Sequence, residues 1–111
     1  MKTEVMMIRE LGDIQVRQSN TTEMFNVTDL VKGYNEHAKR MGLSQKELPS
    51  YWKMQSTEEF MEALEKDYGL NMAKSPDLKV SRRGKQGGTY VAPEIFVDIA
   101  MWLNPRLVFK L

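Results

Sequence analysis

Residues 79–93, KVSRRGKQGGTYVAP, constrain the fold of this chain more than any other stretch. Two short runs that favour strands flank a glycine-rich centre, which predicts a β-hairpin, and Pro93 is typical of the first residue of a helix. A basic turn at the end of a hairpin suits contact with a nucleic-acid backbone, because each neutralised phosphate releases condensed counterions. The stretch carries four basic residues and no acidic one: Lys79, Arg82, Arg83 and Lys85.

The rest of the chain balances this charge, since all 111 residues together carry a formal net charge of only +1. That length suits one domain, and the fractions of hydrophobic (41%) and charged (28%) residues are those of an ordinary globular protein. There are no cysteines, which excludes disulfides, a thiolate nucleophile and zinc–cysteine sites and fits a reducing compartment. No apolar run approaches the roughly 20 residues that span a membrane, and the N-terminus does not resemble a signal peptide. We therefore expect an intracellular protein.

The N-terminal region predicts a second hairpin. Residues 5–11 and 14–18 alternate in polarity and flank Gly12 and Asp13, a pair that suits a type II′ turn. We expect one face of this hairpin to be buried.

An amphipathic helix is predicted next. Asn26 is placed as its N-cap, Asp29 lies in its first turn, where a negative charge favours the helix dipole, and Gly42 marks its end. Its apolar residues recur at intervals of three and four: Val27, Leu30, Val31, Tyr34, Ala38 and Met41.

Two more helices are predicted in the middle of the chain. Pro49 favours a short helix around residues 49–53. Ser56 and Glu59 have the spacing of a capping box, which predicts a longer helix over residues 57–68 that ends at Gly69.

The remaining segments complete an α+β fold. Residues 71–78 are predicted as a loop, and residues 93–103 as a largely buried helix, because only two of them are charged. Asn104 and Pro105 end that helix. Residues 106–111 are mostly apolar, as if a further helix followed, so we expect the N-terminal part of a longer protein.

The turn of the basic hairpin is the strongest candidate site. Its glycines permit close backbone approach, and four side chains offer hydrogen-bond donors to phosphates or base edges: Arg82, Arg83, Lys85 and Gln86. The alternative interpretations are a solvated loop, whose charges serve solubility alone, and a nuclear-import signal.

No catalytic site is predicted. Five acidic residues of the 57–68 helix are expected on its solvated face: Glu58, Glu59, Glu62, Glu65 and Asp67. Pro76 and Asp77 only faintly resemble a nuclease motif, and one histidine, His37, makes neither a metal site nor a triad. Phosphate-binding glycine motifs are absent from the sequence. We expect no enzyme, no cofactor and no metal.

Three segments resemble the KilA-N domain, found in phage and prophage proteins and in large eukaryotic DNA viruses. They are FNVTDLVK (25–32), WKMQSTEEFMEALE (52–65) and RGKQGGTYVAPEIFVDIAMWLNP (83–105). The resemblance runs in order over residues 5–111, and the family is similar in turn to the fungal APSES DNA-binding domain. Tyr90 stands where the family often has tryptophan, and the insert at 39–49 is longer than expected.

The resemblance implies an α+β DNA-binding domain that combines an N-terminal β-hairpin, helix-turn-helix-like helices between residues 27 and 65, a basic β-hairpin wing (residues 79–90) and a buried C-terminal helix. It implies contacts with double-stranded DNA from the wing, where Gln86 is the best candidate for a base edge and the basic residues suit phosphate or the minor groove. It also implies contacts from a helix start, where backbone amides suit a phosphate. The candidate contacts are Lys79, Arg82, Arg83, Lys85, Gln86, Gly87, Gly88 and Thr89 of the wing and Lys53, Gln55, Ser56 and Thr57 of the helix start.

Two other functions stay open. Phage proteins with this domain often resemble antirepressors, so a repressor protein is a possible partner for the acidic helix, in the cytoplasm of a bacterial host. A homo-oligomer could form through a C-terminal region beyond residue 111. Single-stranded nucleic acid would need exposed aromatic residues for stacking, for which Tyr51, Trp52 and Tyr90 are the candidates.

Overall fold

The computed structural model describes residues 3–71 and 78–105, which form an α+β fold of one antiparallel sheet packed against helices. Strands β1 (Met6–Leu11) and β2 (Ile14–Ser19) pair along their full length as the predicted N-terminal hairpin. Gly12 in the turn between them has a φ of +63°, the positive value that a type II′ turn needs at its first central residue.

A two-residue strand joins this hairpin to the second one. Strand β3 (Phe25–Asn26) pairs with β2 on one side and with β5 (Gly88–Val91) on the other, and β4 (Lys79–Arg82) pairs with β5. The order across the sheet is therefore β1-β2-β3-β5-β4, antiparallel throughout. Because β3 pairs with β5 and leads directly into the first helix, the basic hairpin lies beside the start of that helix.

Helix α1 (Val27–Met41) begins and ends as predicted. The Asn26 side chain accepts a hydrogen bond of 3.0 Å from the Asp29 amide, and Gly42 ends the helix with a φ of +70°. The expectation that Met41 faces the core is wrong, because it is 63% exposed in a final turn that lies beyond the last buried residue of the helix, Ala38.

Gly33 lies in the middle of α1 because the helix packs very closely on the first hairpin. A Cβ atom at this position would lie 2.6 Å from Cγ2 of Ile14. The absence of a side chain therefore permits the contact, which offsets the conformational cost of glycine in a helix.

The short predicted helix is α2 (Leu48–Trp52). The loop before it is held by Asn35 of α1, whose amide group accepts from the Lys46 backbone N–H at 2.8 Å and donates to the Lys46 carbonyl at 2.7 Å. The Lys46 ammonium donates to the carbonyl of Trp102 at 2.6 Å. These contacts attach the long insert to both α1 and the C-terminal helix.

Helix α3 (Gln55–Asn71) extends beyond the predicted bounds at both ends. The amides of Thr57 and Glu58 donate to the Met54 carbonyl, so the helix begins before Ser56, which is not an N-cap. At the other end the helix passes through Gly69, whose cost of about 1 kcal/mol relative to alanine is not enough to stop it. Most of the predicted 71–78 loop lies outside the described residues.

Helix α4 (Pro93–Leu103) confirms the predicted C-terminal helix, and Phe96 on it stacks on Phe25 with 4.2 Å between ring centroids. Five of its residues are buried, although Val97 and Met101 are exposed. Among the helices of the described residues, none is long and apolar enough to cross a membrane. The residues that α1 and α4 contribute to the shared core are Val27, Leu30, Val31, Tyr34, Ala38, Ile95, Phe96, Ile99, Ala100 and Leu103.

Candidate nucleic-acid interface

The basic hairpin forms as predicted, with a compact turn at its end. Arg82 on β4 lies opposite Gly88 on β5, and the connection contains one 3-10 turn, Gly84–Gln86. Gly84 has a φ of +82°, and its carbonyl accepts a hydrogen bond of 2.9 Å from the amide of Gly87. These contacts define the wing tip, residues 83–87.

Three polar side chains of the wing tip are exposed to solvent: those of Arg83, Lys85 and Gln86. The two cations are separated in sequence only by Gly84, and no acidic residue lies between Leu78 and Pro93. The tip therefore presents two positive charges and an amide on one short turn, which can donate to phosphates and to base edges.

The backbone of the wing tip is held from the opposite side by the body of the protein. The Gly87 carbonyl accepts hydrogen bonds of 3.0 Å from both the Asn26 amide and the Arg17 guanidinium. A second Arg17 nitrogen donates to the Lys85 carbonyl, also at 3.0 Å. Two main-chain oxygens of the tip are thus directed towards β2 and β3.

Arg17 is itself held by Asp29, in the first turn of α1. Its Nε and Nη2 atoms donate to the two carboxylate oxygens at 2.8 and 2.9 Å, and the Arg17 backbone amide donates to one of them at 3.1 Å. These hydrogen bonds raise the pKa of Arg17. The carboxylate also offsets its positive charge, so Arg17 is suited to holding the wing rather than to binding a phosphate.

The glycines of the wing serve this close packing. Gly88 has a φ of +126°, and a Cβ atom there would lie 2.6 Å from Nδ2 of Asn26. The next amide, that of Thr89, donates to the Thr28 hydroxyl at 2.9 Å. The structure therefore gives Gly87, Gly88 and the Thr89 backbone a part in attaching the wing to β2, β3 and the first turn of α1. DNA contact by these residues stays a prediction.

Arg82 differs from its neighbour Arg83 because it is bound within the protein. Its guanidinium forms a two-point ion pair with Glu4, at 2.6 and 2.9 Å, and lies 4.9 Å from the ring centroid of Tyr90. Hydrogen bonds from Arg82 and then from Ser19 lower the pKa of Glu4 to about 2. The predicted DNA contact by Arg82 would require this ion pair to open.

Lys79, at the base of the wing, connects it to α2. Its ammonium lies 4.2 Å from the centroid of the Trp52 indole ring, a cation–π contact, and its side chain remains exposed. Trp52 is therefore partly covered by a wing residue.

The start of α3 supplies a second group of predicted contacts, and one of these residues is buried. Lys53, Gln55 and Ser56 are exposed at the helix N-terminus, where the helix dipole favours an anion. Thr57 is only 2% exposed. Its side chain lies on the core-facing side of the helix and its amide donates to the Met54 carbonyl, so the predicted DNA contact by Thr57 would require this helix start to rearrange.

The aromatic residues that the sequence suggests for base stacking do not form an exposed stacking surface. Tyr51 and Tyr90 are both buried. Burial and the 2.5 Å hydrogen bond that the Tyr51 hydroxyl donates to Asp98 raise the pKa of Tyr51. With Trp52 beneath Lys79, the interpretation as a single-strand binder loses its stacking platform.

The contacts of Arg17 and Glu4 with the wing, and of Asp29 with Arg17, are not predicted by the sequence. In the sequence Arg17 is an ordinary polar residue of an alternating strand, and no local signal indicates its distant partners.

The family model described as the KilA-N domain matches residues 9–111, nearly the whole chain. Neither the curated proteins nor the solved structures contain a match to the chain.

Proposed function

The chain belongs to the KilA-N domain family, whose members are generally DNA-binding, and on that premise we propose that it binds double-stranded DNA through the wing. The observation that carries this proposal is the exposure of Arg83, Lys85 and Gln86 on a turn whose backbone is held by the protein. We assign phosphate contacts to the two cations and a base-edge contact to Gln86.

The start of α3 is the proposed second contact. Lys53, Gln55 and Ser56 are exposed at the N-terminus of a 17-residue helix, which favours a phosphate. Lys79, stacked on Trp52, connects the wing to this region through α2. The winged helix-turn-helix mode of binding that we propose uses both groups on one duplex.

The proposed biological role is that of a phage or prophage regulatory protein of the antirepressor type, acting in the bacterial cytoplasm by binding and not by catalysis. A net charge of +1 supports only modest affinity for the isolated domain, on the micromolar scale of about 10⁻⁶ M at physiological salt. Oligomerisation through a further C-terminal region would raise the affinity by avidity.

Fluorescence anisotropy of a labelled random duplex over a salt series tests the proposal. Replacing Arg83 and Lys85 together by alanine should weaken binding and reduce the slope of log K against log salt by about 1.8, since each lost phosphate contact contributes about 0.9. The matched control replaces Arg40 and Lys66, which are also one exposed arginine and one exposed lysine, outside the wing. An unchanged slope in the wing variant, or no binding by the wild type at low salt, would contradict the proposal.

A protein partner is the second candidate function. The acidic face of α3 is exposed as predicted, which suits a basic DNA-binding protein such as a repressor; it consists of Glu58, Glu59, Glu62, Glu65 and Asp67. Reversing charges at Glu58 and Glu62 should abolish biological activity if this face binds the partner. Reversal at Arg83 and Lys85 should abolish it if DNA is the ligand.

A further inference from the structure

We propose that Arg17 and Asp29 are positioning residues for DNA binding, whose ion pair holds the wing tip in its binding shape. The inference rests on the proposed function, because it concerns how the same wing is prepared for DNA. It adds two residues that lie outside the wing and are directed towards it from β2 and α1.

All three nitrogen atoms of the Arg17 guanidinium donate hydrogen bonds to acceptors within the protein. Nε faces the Asp29 carboxylate, Nη1 the Lys85 carbonyl, and Nη2 both the carboxylate and the Gly87 carbonyl, all at 2.8–3.0 Å. The side chains of Arg17 and Asp29 are 25% and 22% exposed. Arg17 therefore connects the carboxylate to two carbonyls of the tip and does not present a free cation to DNA.

The two carbonyls that Arg17 binds lie on either side of Gln86. Both oxygens are directed inward, while the side chains of Lys85 and Gln86 are exposed. The negative ends of these peptide dipoles therefore face away from the surface that is proposed to meet phosphates. A tip without these contacts would have to be ordered when DNA binds, and this ordering reduces affinity. Arg17 thus affects binding through backbone shape.

Simple electrostatics and positioning predict opposite results at Asp29. Removing an acidic residue beside a DNA interface should strengthen binding, particularly since it also leaves the charge of Arg17 less neutralised. If Asp29 orients Arg17, the same removal should weaken binding. The sign of the change therefore distinguishes the two roles.

The first experiment compares Asp29→Asn with Asp13→Asn, a control with the same change of charge at an exposed turn residue outside the wing. Anisotropy titrations should show about tenfold weaker binding for D29N, which corresponds to about 1.4 kcal/mol, with an unchanged salt slope. D13N should bind as the wild type or slightly more tightly. Equal or tighter binding by D29N would overturn the inference while leaving the proposed function intact.

The second experiment keeps the net charge constant. Arg17→Lys retains the positive charge, but one ammonium cannot reproduce the planar set of donors that reaches a carboxylate and two carbonyls. Its control is Arg9→Lys, on the neighbouring strand. We expect weaker binding and faster hydrogen exchange of the Gly87 and Thr89 amides in R17K alone, with the affinity measured well below the unfolding temperature of each variant.

The outcomes separate the two proposals. If R17K loosens the wing amides but binds DNA as tightly as R9K, Arg17 has a structural role only and the inference is wrong. If the wild type does not bind duplex DNA at low salt, the proposed function fails, and the positioning role fails with it.

Discussion

Arg82 and Arg83 are adjacent in sequence, but the structure predicts that their replacement by alanine has different effects. Arg82 is bound to Glu4 and lies over the Tyr90 ring, whereas Arg83 is exposed at the wing tip. We expect R82A to lower the stability of the fold and to leave the salt dependence of DNA binding unchanged. R83A should leave the stability nearly unchanged and reduce the salt dependence of binding.

The magnitudes follow from the contacts of Arg82. Its ion pair with Glu4 is partly solvated, with side-chain exposures of 28% and 30%, so it contributes about 0.2–1 kcal/mol. The cation–π contact with Tyr90 contributes about 0.5–1 kcal/mol. A total of about 0.7–2 kcal/mol corresponds to a fall in melting temperature of roughly 3–16 °C for a domain of this size. For Arg83 we expect a stability change within about 0.5 kcal/mol and a salt slope smaller by about 0.9.

Thermal unfolding by circular dichroism measures the first effect, and anisotropy at salt concentrations from about 50 to 200 mM measures the second. A double-mutant cycle with Glu4→Gln isolates the ion pair from the ring contact. If R82A melts like the wild type and loses as much salt slope as R83A, then Arg82 is a phosphate contact and the assignment of its structural role is wrong.

Two further predictions concern the contacts that shape the wing. The pKa of Glu4 is lowered from 4.5 to about 2, so its ion pair should stabilise the fold fully above pH 4.5 and lose this contribution as the pH falls towards 2. The melting temperatures of the wild type and E4Q should therefore converge over that interval. A constant difference between them would contradict this prediction. Gly88→Ala should destabilise the fold by about 2–3 kcal/mol, since a side chain there combines a strained φ with a clash against Asn26. Gly84 also has a positive φ but has open space around it, so Gly84→Ala should destabilise the fold by only about 1 kcal/mol. Equal urea midpoints for the two variants would refute the contribution assigned to the clash.

Most of the fold could be predicted because its signals are local. The caps of α1 at Asn26 and Gly42, the turn at Gly12 and the proline that starts α4 each act within a few residues of the element they define. The bounds of α3 could not be predicted from local signals, because the amides of its first turn bond to the Met54 carbonyl and its last turn continues through Gly69. At both ends backbone bonding outweighed the preference of one side chain.

In the candidate site too, the local features could be predicted from the sequence and the contacts between distant segments could not. Exposure of Arg83, Lys85 and Gln86 follows from their position at the tip of a hairpin, which polarity and glycine spacing already indicate. The ion pair of Arg82 and the burial of Thr57 depend on how distant segments pack, and neither has a counterpart in sequence spacing. The sequence therefore predicts which loop is exposed but does not predict the burial of Thr57, and DNA contact by either group stays a prediction.

The way in which the wing tip is anchored also has a consequence for evolution and engineering. The tip is held through its main-chain oxygens at Lys85 and Gly87, which do not depend on the identity of the side chain at position 85. The wing is held further by the Thr89 backbone amide, which donates to the Thr28 hydroxyl. Side chains at positions 83, 85 and 86 can therefore be exchanged while the anchoring atoms remain. Under the proposed function, a library randomised at these three positions should yield folded proteins with altered target preference, and substitutions there should need no compensating change in the core.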